Sequence, residues 1–298
     1  MTGVDRPPSD LLVDVGTDVG PVVVMGASGK TGRAVVGALM RRGVAVRAAV
    51  RAGREASAPS GTTPVVVDLT TGAGLEAALT DVHAAYHLAP NVHPDEVGMA
   101  ARVAGAATAT GLARLVFHSV LHPHDARMPH HVRKAEAEAL LRAVLGERLT
   151  VRRPAAYHQN LLAQAGAGLL RVPYSLDAPF TNIDLADVGD VAADALAGRH
   201  PGATLDLAGP ELLTTRQMAE QAGLALGREV RAEQQPLEEW LFGPGAALSA
   251  QARHDLVAMF TAYDDDGLVG DVAGLPALLA RRPTTWGEAV RRLAGSGA

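Results

Sequence analysis

Short apolar runs rich in β-branched residues alternate with longer stretches rich in alanine and leucine through the first half of the chain. Apolar runs of this length are typical of strands buried on both faces of a sheet, and the longer stretches have the spacing of amphipathic helices. Regular alternation of this kind predicts an α/β fold with a doubly wound parallel sheet. The predicted strands are 22–25, 44–50, 64–67, 84–88, 115–117 and 149–152, and the predicted helices are 31–42, 75–82, 96–110 and 129–145.

The pattern loosens after Pro154. Loops there separate a possible strand at 179–184, helices at 188–196 and 215–226, and a strand near Val230. The 298 residues suffice for one large or two modest domains. We divide the chain into a mobile tail at 1–19, a doubly wound domain at 20–155 and a smaller C-terminal α/β lobe at 156–298 that binds substrate. Segments at about 180–210 are expected to return to the sheet of the first domain.

Charge and cysteine content argue against several classes of function. The chain has 27 lysines and arginines against 32 aspartates and glutamates, so it has no basic field to hold a nucleic acid. No apolar run approaches the roughly 18 residues of a membrane span, and the acidic N-terminal stretch differs from a secretory signal. The absence of cysteine excludes disulfides, thiol nucleophiles and cysteine-held metal centres. We expect a cytoplasmic protein that binds neither nucleic acid nor membrane.

A glycine-rich turn lies between the first predicted strand and the first predicted helix. Glycines at such a turn let the backbone approach a pyrophosphate at the helix N-terminus, although a plain tight turn is the alternative. A phosphate loop of the ATP-binding kind also needs a glycine five residues before Gly29, where Val24 stands. The GxxGxxG spacing and its context therefore predict a dinucleotide site formed by Gly26, Ser28, Gly29, Lys30, Thr31 and Gly32.

A cation occupies the position at which such sites select their dinucleotide. An acidic residue about 20 residues past the glycines binds the ribose hydroxyls of NAD, whereas this chain has Arg51 there, directly after the second predicted strand. A guanidinium suits a 2′-phosphate, so the position predicts NADP(H) rather than NAD. Arg47 and Arg54 lie nearby and are equally compatible with a solvated surface.

Several short motifs occur in the order typical of one family. Residues 26–32 resemble a GATGxxG turn, 50–51 and 67–69 resemble the ends of the second and third strands, and 87–90 resemble the loop beside the cofactor ribose. Further on, the similar segments are 151–160 (RPxxxxxN), 187–192 (DIAxVA), 207–211 (TGPE) and 282–286 (RxPT-aromatic). From Pro21 to about Leu293 the chain thus resembles the NmrA-like family of atypical short-chain dehydrogenases/reductases, which have a Rossmann fold. The resemblance implies that Asp68 faces the adenine and that Leu88 and Ala89 lie beside the ribose.

The usual catalytic pair of short-chain dehydrogenases, Tyr-x-x-x-Lys on one helix face, is altered in this chain. Lys134 is retained, and His130 stands in place of the tyrosine. The resemblance implies that Lys134 binds the nicotinamide ribose hydroxyls, acts as a general acid or base, or does both. His130 is a second candidate proton donor, because a histidine titrates in a useful pH range.

Two further segments contribute candidate catalytic residues. Ser119 lies at the carboxyl end of the predicted strand that begins at Leu115, and it matches a family serine that hydrogen-bonds a substrate carbonyl or the nicotinamide amide. Tyr157 and His158 follow the Arg153-Pro154 turn, which the family's geometry puts near the nicotinamide end of the cleft. Either side chain would supply the proton that the missing tyrosine cannot. The catalytic prediction therefore comprises Lys134, His130, Ser119 and Tyr157.

Nine of the eleven histidines lie between His83 and His158, with a dense group at 122–131. Such a group is compatible with a metal, but the sequence has neither a zincin helix motif nor cysteine ligands. We expect substrate contact or plain surface at these histidines, and no metal site.

Together these features predict an NADP(H)-dependent oxidoreductase that reduces a small carbonyl, quinone or enone, with Lys134, His130 or Tyr157 supplying the proton. A non-catalytic NADP-binding sensor or regulator is one alternative, because the family includes such proteins and His130 replaces the usual tyrosine. A redox-neutral enzyme on the same fold is another. The expected partner is a small-molecule substrate, and the sequence is compatible with a monomer or a homodimer.

Overall fold

The computed structural model describes residues 20–295, so the predicted tail at 1–19 lies outside the described residues. Three turns of 3-10 helix lie at Glu55–Ser57, Gly146–Arg148 and His158–Asn160. In chain order, the strands and helices are β1 (Val22–Met25), α1 (Lys30–Arg41), β2 (Val46–Val50), β3 (Thr63–Val66), α2 (Leu75–Leu79), β4 (Ala84–His87), α3 (Glu96–Ala109), β5 (Arg114–His118), α4 (Pro129–Leu145), β6 (Leu149–Pro154), α5 (Leu162–Ala167), β7 (Leu169–Val172), β8 (Pro179–Phe180), α6 (Leu185–Leu196), β9 (Thr204–Leu207), β10 (Leu213–Thr214), α7 (Thr215–Leu226), β11 (Arg231–Gln234), α8 (Leu237–Phe242), α9 (Ala250–Asp266), α10 (Gly274–Leu278) and α11 (Trp286–Gly295).

Seven strands form one sheet in the order β3-β2-β1-β4-β5-β6-β9, and every neighbouring pair is parallel. Strands β2 and β3 lie on one side of β1, and the later strands β4, β5, β6 and β9 lie on the other side. This arrangement leaves a crevice at the carboxyl ends of β1 and β4, where ligands bind in sheets of this kind. The predicted doubly wound α/β fold is confirmed.

Both faces of the sheet are covered by helices. Because side chains alternate along a strand, Val23 and Met25 of β1 pack under α2, α3 and α4, whereas Val22 and Val24 pack under α1 and α6. All four of these side chains are fully buried. Burial on both faces explains the continuous apolar runs in the sequence.

Two boundaries predicted for the first half of the chain, the start of the second strand and the end of the second helix, differ from those in the structure. The second strand begins at Val46 rather than at 44. The helix predicted at 75–82 ends at Leu79, because Arg47 donates hydrogen bonds to the carbonyl oxygens of Ala78 and Thr80, at 3.2 and 2.7 Å, and Asp81 adopts a φ of +56°. Arg47 thereby stabilises a helix end and lies away from the predicted cofactor position.

The second half differs more from the prediction. The strand predicted at 179–184 is limited to Pro179 and Phe180, because Asp184 begins α6 by accepting a hydrogen bond from the Ala186 amide at 2.8 Å. Sequence analysis missed β7, which pairs with β11 in a separate parallel ribbon. It also did not single out β9, which adds the seventh strand beside β6.

The C-terminal segment forms buried hydrogen bonds with α6, which covers the sheet, and with α7. Asp187, which is fully buried on α6, accepts hydrogen bonds from the amide and hydroxyl of Thr284 at 2.8 and 3.1 Å. Trp286 is also fully buried and donates its indole N–H to the Met218 carbonyl at 2.7 Å. Whether 156–298 behaves as a separate lobe stays a prediction. None of the helices within residues 20–295 combines the length and apolar character that a membrane span needs.

Candidate active site

A cleft of about 960 Å³ runs along the carboxyl ends of the central strands. The candidate residues that the sequence singled out line this cleft, with the exception of Gly32 and His158. The lining residues of that set are Gly26, Ser28, Gly29, Lys30, Thr31, Arg51, Asp68, Leu88, Ala89, Ser119, His130, Lys134 and Tyr157. The cleft therefore unites the predicted cofactor residues with the predicted catalytic residues.

The glycine turn at the start of α1 has the form of an anion-binding cradle. Gly26 has a φ of +71°, which favours glycine, and a Cβ on Gly32 would lie 2.1 Å from the Gly26 carbonyl oxygen. Gly32 thus serves the close contact between turn and helix, which explains why it lies outside the cleft. The N-terminus of α1 has no side-chain cap and no acidic residue in its first turn. Its backbone N–H groups are left to bind an anion, so this turn fits a dinucleotide pyrophosphate.

The adenine-side candidates lie at the ends of β2 and β3. Arg51 and Arg54 are exposed side chains that line the cleft beside the turn. Asp68 accepts a hydrogen bond from the Thr70 amide at 2.8 Å, and this bond lowers the pKa of the Asp68 carboxyl. These residues give the end of the cleft an exposed pair of cations with one carboxylate, which suits an NADP 2′-phosphate and adenine.

Lys134 is held by a buried carboxylate. Its Nζ lies 2.8 Å from Glu96 Oε1 and 3.0 Å from the carbonyl oxygen of His118, and the Phe117 ring centroid is 5.1 Å away. Glu96 is fully buried at the start of α3, and Lys134 is 4% exposed. Two of the three ammonium protons are thus engaged, and one remains for the cleft. Sequence analysis missed Glu96, although a buried lysine implies a counterion somewhere in the fold.

Ser119 is engaged by a second buried carboxylate. Its hydroxyl donates to Glu138, which also accepts a hydrogen bond from Arg153 Nε at 2.9 Å. A hydroxyl that donates to a carboxylate has no proton left for a substrate carbonyl. In this arrangement the Ser119 oxygen is free to accept an amide N–H, and its role towards a substrate carbonyl or the nicotinamide amide stays a prediction.

The surroundings of His130 favour its neutral form. His130 is 6% exposed, and burial, with the positive charge of Lys134 as the next cause, lowers its pKa from 6.5 to about 3. Burial, which the sequence did not show, thus disfavours the cationic form, and a role for His130 as proton donor stays a prediction. A neutral imidazole in the cleft still has one N–H to donate in a hydrogen bond.

Tyr157 lines the cleft, and hydrogen bonds hold its hydroxyl. Its oxygen lies 2.7 Å from His118 Nε2, and His118 Nδ1 in turn bonds the Tyr86 hydroxyl. Burial raises the pKa of Tyr157 well above its ordinary value, and a hydrogen bond from the Thr31 hydroxyl acts in the opposite direction. Tyr157 is therefore a fully protonated phenol at neutral pH, which a proton donor must be.

The residues around Tyr157 join the turn to the segment after β6. Lys30 donates to Asn160 Oδ1 at 2.5 Å and lies 5.7 Å from the centroid of the Tyr157 ring. His158 points the other way: it is 2% exposed, its ring centroid is 5.5 Å from that of Trp286, and it does not line the cleft. The expectation that His158 is a proton donor is therefore wrong.

Aromatic side chains form the far end of the cleft. The chain has two tryptophans, four tyrosines and four phenylalanines, and half of these line the cleft. Trp240 and Phe260 have ring centroids 4.9 Å apart, and Tyr174 and Tyr263 have centroids 5.8 Å apart. Arg171 also lines this end and pairs with Glu233 at 2.7 Å and with a second glutamate, Glu239. This end therefore suits an uncharged, apolar molecule.

The histidine-rich segment does not form one cluster. His130 and His131 both line the cleft, and His131 Nδ1 lies 3.2 Å from the carbonyl oxygen of His122. His122 itself bonds the carbonyl oxygen of Val269 at 2.6 Å. Within residues 20–295, no group of three or more His, Asp or Glu side chains is placed to hold a metal ion.

The fold and the cleft define a class of protein, the doubly wound proteins that bind a dinucleotide at the carboxyl edge of the sheet. The model of the NmrA-like family matches residues 19–288, and the chain belongs to this family. The family resemblance that the motifs indicated is thus confirmed.

Three known proteins illustrate the similarity. A (4-alkanoyl-5-oxo-2,5-dihydrofuran-3-yl)methyl phosphate reductase from Streptomyces griseus subsp. griseus is 33% identical over 221 residues, which cover 72% of this chain and 76% of the relative. The NADPH-dependent quinone oxidoreductase of Escherichia coli, solved with NADPH, is 24% identical, with a TM-score of 0.77 over 92% of this chain and 99% of that one. Triphenylmethane reductase of Citrobacter sp., solved with NADP(H), is 19% identical, with a TM-score of 0.76 over 91% and 99%. The two solved structures show that the fold is shared.

Proposed function

We propose that this protein is an NADPH-dependent reductase of a small, uncharged carbonyl, quinone or enone compound. Its membership in the NmrA-like family and its similarity to proteins named as reductases make it an NAD(P)-dependent reductase. The finer proposal depends on one observation, that a phenol held by hydrogen bonds faces the same cleft as the glycine turn. A reductase needs a dinucleotide and a proton donor in one cavity.

The proposed cofactor residues act through charge and backbone geometry. The backbone N–H groups at the start of α1 bind the pyrophosphate, and Arg51 pairs with the 2′-phosphate. Lys134, oriented by Glu96, binds the nicotinamide ribose hydroxyls with its remaining proton. NADPH bound in this way supplies the hydride.

Tyr157 is the proposed proton donor. Its phenol is protonated at neutral pH, lines the cleft and is fixed by His118, whereas His130 is neutral and Lys134 is committed to Glu96. The proton passes from the Tyr157 oxygen to the substrate atom that gains negative charge when hydride arrives. Aromatic walls at the far end exclude water and hold the apolar part of the substrate.

The name of the Streptomyces griseus relative supports the enone class. Its substrate is named as a dihydrofuranone with an alkanoyl group, in which a ring double bond is conjugated to carbonyl groups. That substrate also carries a phosphate ester. In this chain, Arg171 at the aromatic end is paired with Glu233 and Glu239, which favours a substrate without such a charge.

The test begins with calorimetric titration of the purified protein with NADPH and NADH, and continues with NADPH absorbance over a panel of quinones, enones and aldehydes. We expect tighter binding of NADPH and turnover of at least one apolar member of the panel. Tyr157→Phe should lower kcat by about 100-fold or more, whereas His130→Asn should lower it by less than about tenfold. Equal losses from the two substitutions would contradict the assignment of Tyr157.

The same experiment separates the alternatives. Tight NADPH binding without turnover would favour a sensor, a function that the replacement of the usual tyrosine by His130 also favours. A product formed without any change in NADPH absorbance would favour a redox-neutral enzyme. Absence of dinucleotide binding would contradict the interpretation of the glycine turn.

A further inference from the structure

Three side chains form a hydrogen-bonded chain from the cleft into the protein interior. Tyr157 bonds His118 Nε2 at 2.7 Å, and His118 Nδ1 bonds the hydroxyl of Tyr86, which is fully buried on β4. In the parallel sheet, His118 is the register partner of Arg152, and Tyr86 is the partner of Val116, two residues before His118. Because side chains two residues apart share a face, Tyr86, His118 and Arg152 all lie on the α1 and α6 face of the sheet.

Burial fixes the direction of these hydrogen bonds. A buried phenol O–H needs an acceptor, and within the described part of the chain His118 Nδ1 is the acceptor in reach of Tyr86. Burial, followed by the charge of Lys134, lowers the pKa of His118 to about 3, so its ring carries one proton. That proton is then on Nε2, which donates to the Tyr157 oxygen. The proton of Tyr157 itself is left to point into the cleft.

An unusual cation acts on the inner end of this chain. Arg152 is fully buried, and its Nε and Nη2 atoms have no hydrogen-bond partner among residues 20–295. Its charge acts on Tyr86, where it opposes the rise in the Tyr86 pKa that burial causes. Among residues 20–295 no carboxylate forms an ion pair with Arg152, although the charge of Asp194 acts on it. A buried guanidinium without a directly paired carboxylate is costly, so a role in stabilising a transient negative charge would account for it.

We propose that His118 and Tyr86 relay a proton to Tyr157 during reduction and that Arg152 stabilises the charge left behind. The relay rests on the proposed reductase function, which supplies NADPH as the hydride donor. His118, Tyr86 and Arg152 are positioning residues, because they act through Tyr157.

Three proton transfers make up the relay. The Tyr157 O–H bond breaks as an O–H bond to the reduced substrate forms, and the His118 Nε2–H bond breaks as Tyr157 regains its proton. The Tyr86 O–H bond breaks as the His118 Nδ1–H bond forms. Negative charge therefore ends on the Tyr86 oxygen, near Arg152, and not on Tyr157 beside the product. When the product leaves, a proton from water enters at Tyr157 and reverses the three steps.

The first test reads the tautomer of His118 without cofactor or turnover. Nitrogen-15 NMR of histidine-labelled protein at neutral pH should show His118 as the Nε2–H tautomer, with the signal assigned by its loss in His118→Gln. Tyr86→Phe removes the donor to Nδ1 and should shift that nitrogen. An Nδ1–H tautomer in the parent protein would overturn the relay.

The second test is kinetic. Tyr86→Phe should lower kcat by about tenfold or more with KM changed less than about twofold, because Tyr157 still delivers one proton but is not resupplied. A proton inventory in mixed light and heavy water should be curved for the parent and linear for Tyr86→Phe. Thr150→Val is the matched control: it also removes a buried hydroxyl, Thr150 is the register partner of Val116 on the same face of the sheet, and it does not line the cleft. It should keep kcat within about twofold.

The outcomes separate the relay from the proposed function. An unchanged kcat and a curved inventory in Tyr86→Phe would overturn the relay while the reductase function stands. A parent protein with the Nε2–H tautomer but no turnover on any panel compound would contradict the reductase function, and the relay with it.

Discussion

The buried pair of Lys134 and Glu96 should behave as a coupled unit in unfolding. Their side chains are 5% and 0% exposed, and Nζ lies 2.8 Å from Oε1. Removal of one partner leaves a buried charge without compensation, which costs about 3–5 kcal/mol of unfolding free energy. At roughly 2 °C per kcal/mol for a chain of this size, Glu96→Leu and Lys134→Met should each lower Tm by about 6–10 °C. Removal of both charges replaces the pair by apolar groups, and the double variant should lose less than about 2 kcal/mol.

A double-mutant cycle on urea unfolding of the cofactor-free protein measures this coupling. The exposed pair of Arg216 and Asp177, 2.9 Å apart with side chains 55% and 70% exposed, is the control. Asp177→Ala should cost less than about 1 kcal/mol, because solvent screens this pair. If the two core substitutions were additive, or if each cost less than about 1 kcal/mol, the buried ion pair would not exist in solution as the structure describes it.

Three further predictions concern the cofactor turn and the buried histidines. Arg51→Asp should weaken NADPH binding at least about tenfold more than NADH binding in calorimetry, because a carboxylate repels the 2′-phosphate, and equal losses would remove Arg51 from the site. Gly32→Ala should lower both Tm and NADPH affinity, because the new Cβ meets the Gly26 carbonyl at 2.1 Å, whereas Gly105→Ala in α3, with no atom within 4 Å of the new Cβ, should raise the unfolding free energy by up to about 1 kcal/mol. Four buried histidines keep folded-state pKa values below the ordinary 6.5, so the unfolded chain binds more protons and the unfolding free energy should fall as pH drops from about 6.5 towards 4, by about 1.4 kcal/mol per pH unit for each. The four residues are His87, His118, His130 and His131, whose pKa values are about 3, 3, 3 and 4, respectively. A Tm that did not change between pH 7.5 and pH 5 would contradict the burial of these four side chains.

The parts of the fold that sequence predicted are those whose physical signal is local. Strands β1, β2, β4 and β5 are mostly apolar because they lie inside the sheet, and the glycine turn is visible because its backbone conformation demands glycine. The edge strand β9 has two exposed residues, Thr204 and Asp206, and β11 reads Arg-Ala-Glu-Gln, so neither carries an apolar run. Such strands form because a neighbouring strand offers unpaired backbone groups, and that information lies elsewhere in the chain.

The same distinction applies to the site. Lys134 and Tyr157 stand in motifs, whereas the residues that determine their chemistry, Glu96 and His118, reach them from other strands and helices. His130 illustrates the reverse case, in which a motif position was visible but its burial was not. Its pKa follows from its surroundings, and those are fixed by the packing of α4 rather than by its own neighbours in sequence.

His118 contacts both a lysine and a tyrosine, the two residue types that short-chain dehydrogenases usually carry together on one helix. In a Tyr-x-x-x-Lys pair, both side chains lie on the same helix face, so the lysine can act on the tyrosine directly. Here Lys134 bonds the His118 carbonyl at 3.0 Å, while the imidazole of His118 bonds Tyr157 at 2.7 Å. The backbone carbonyl of His118 thus binds the Lys134 ammonium, and the side chain of the same residue binds the Tyr157 phenol. Replacement of the usual tyrosine by His130 therefore leaves Tyr157 as a hydrogen-bonded phenol that lines the same cleft, which is why the loss of the family's pair is compatible with the proposed reductase.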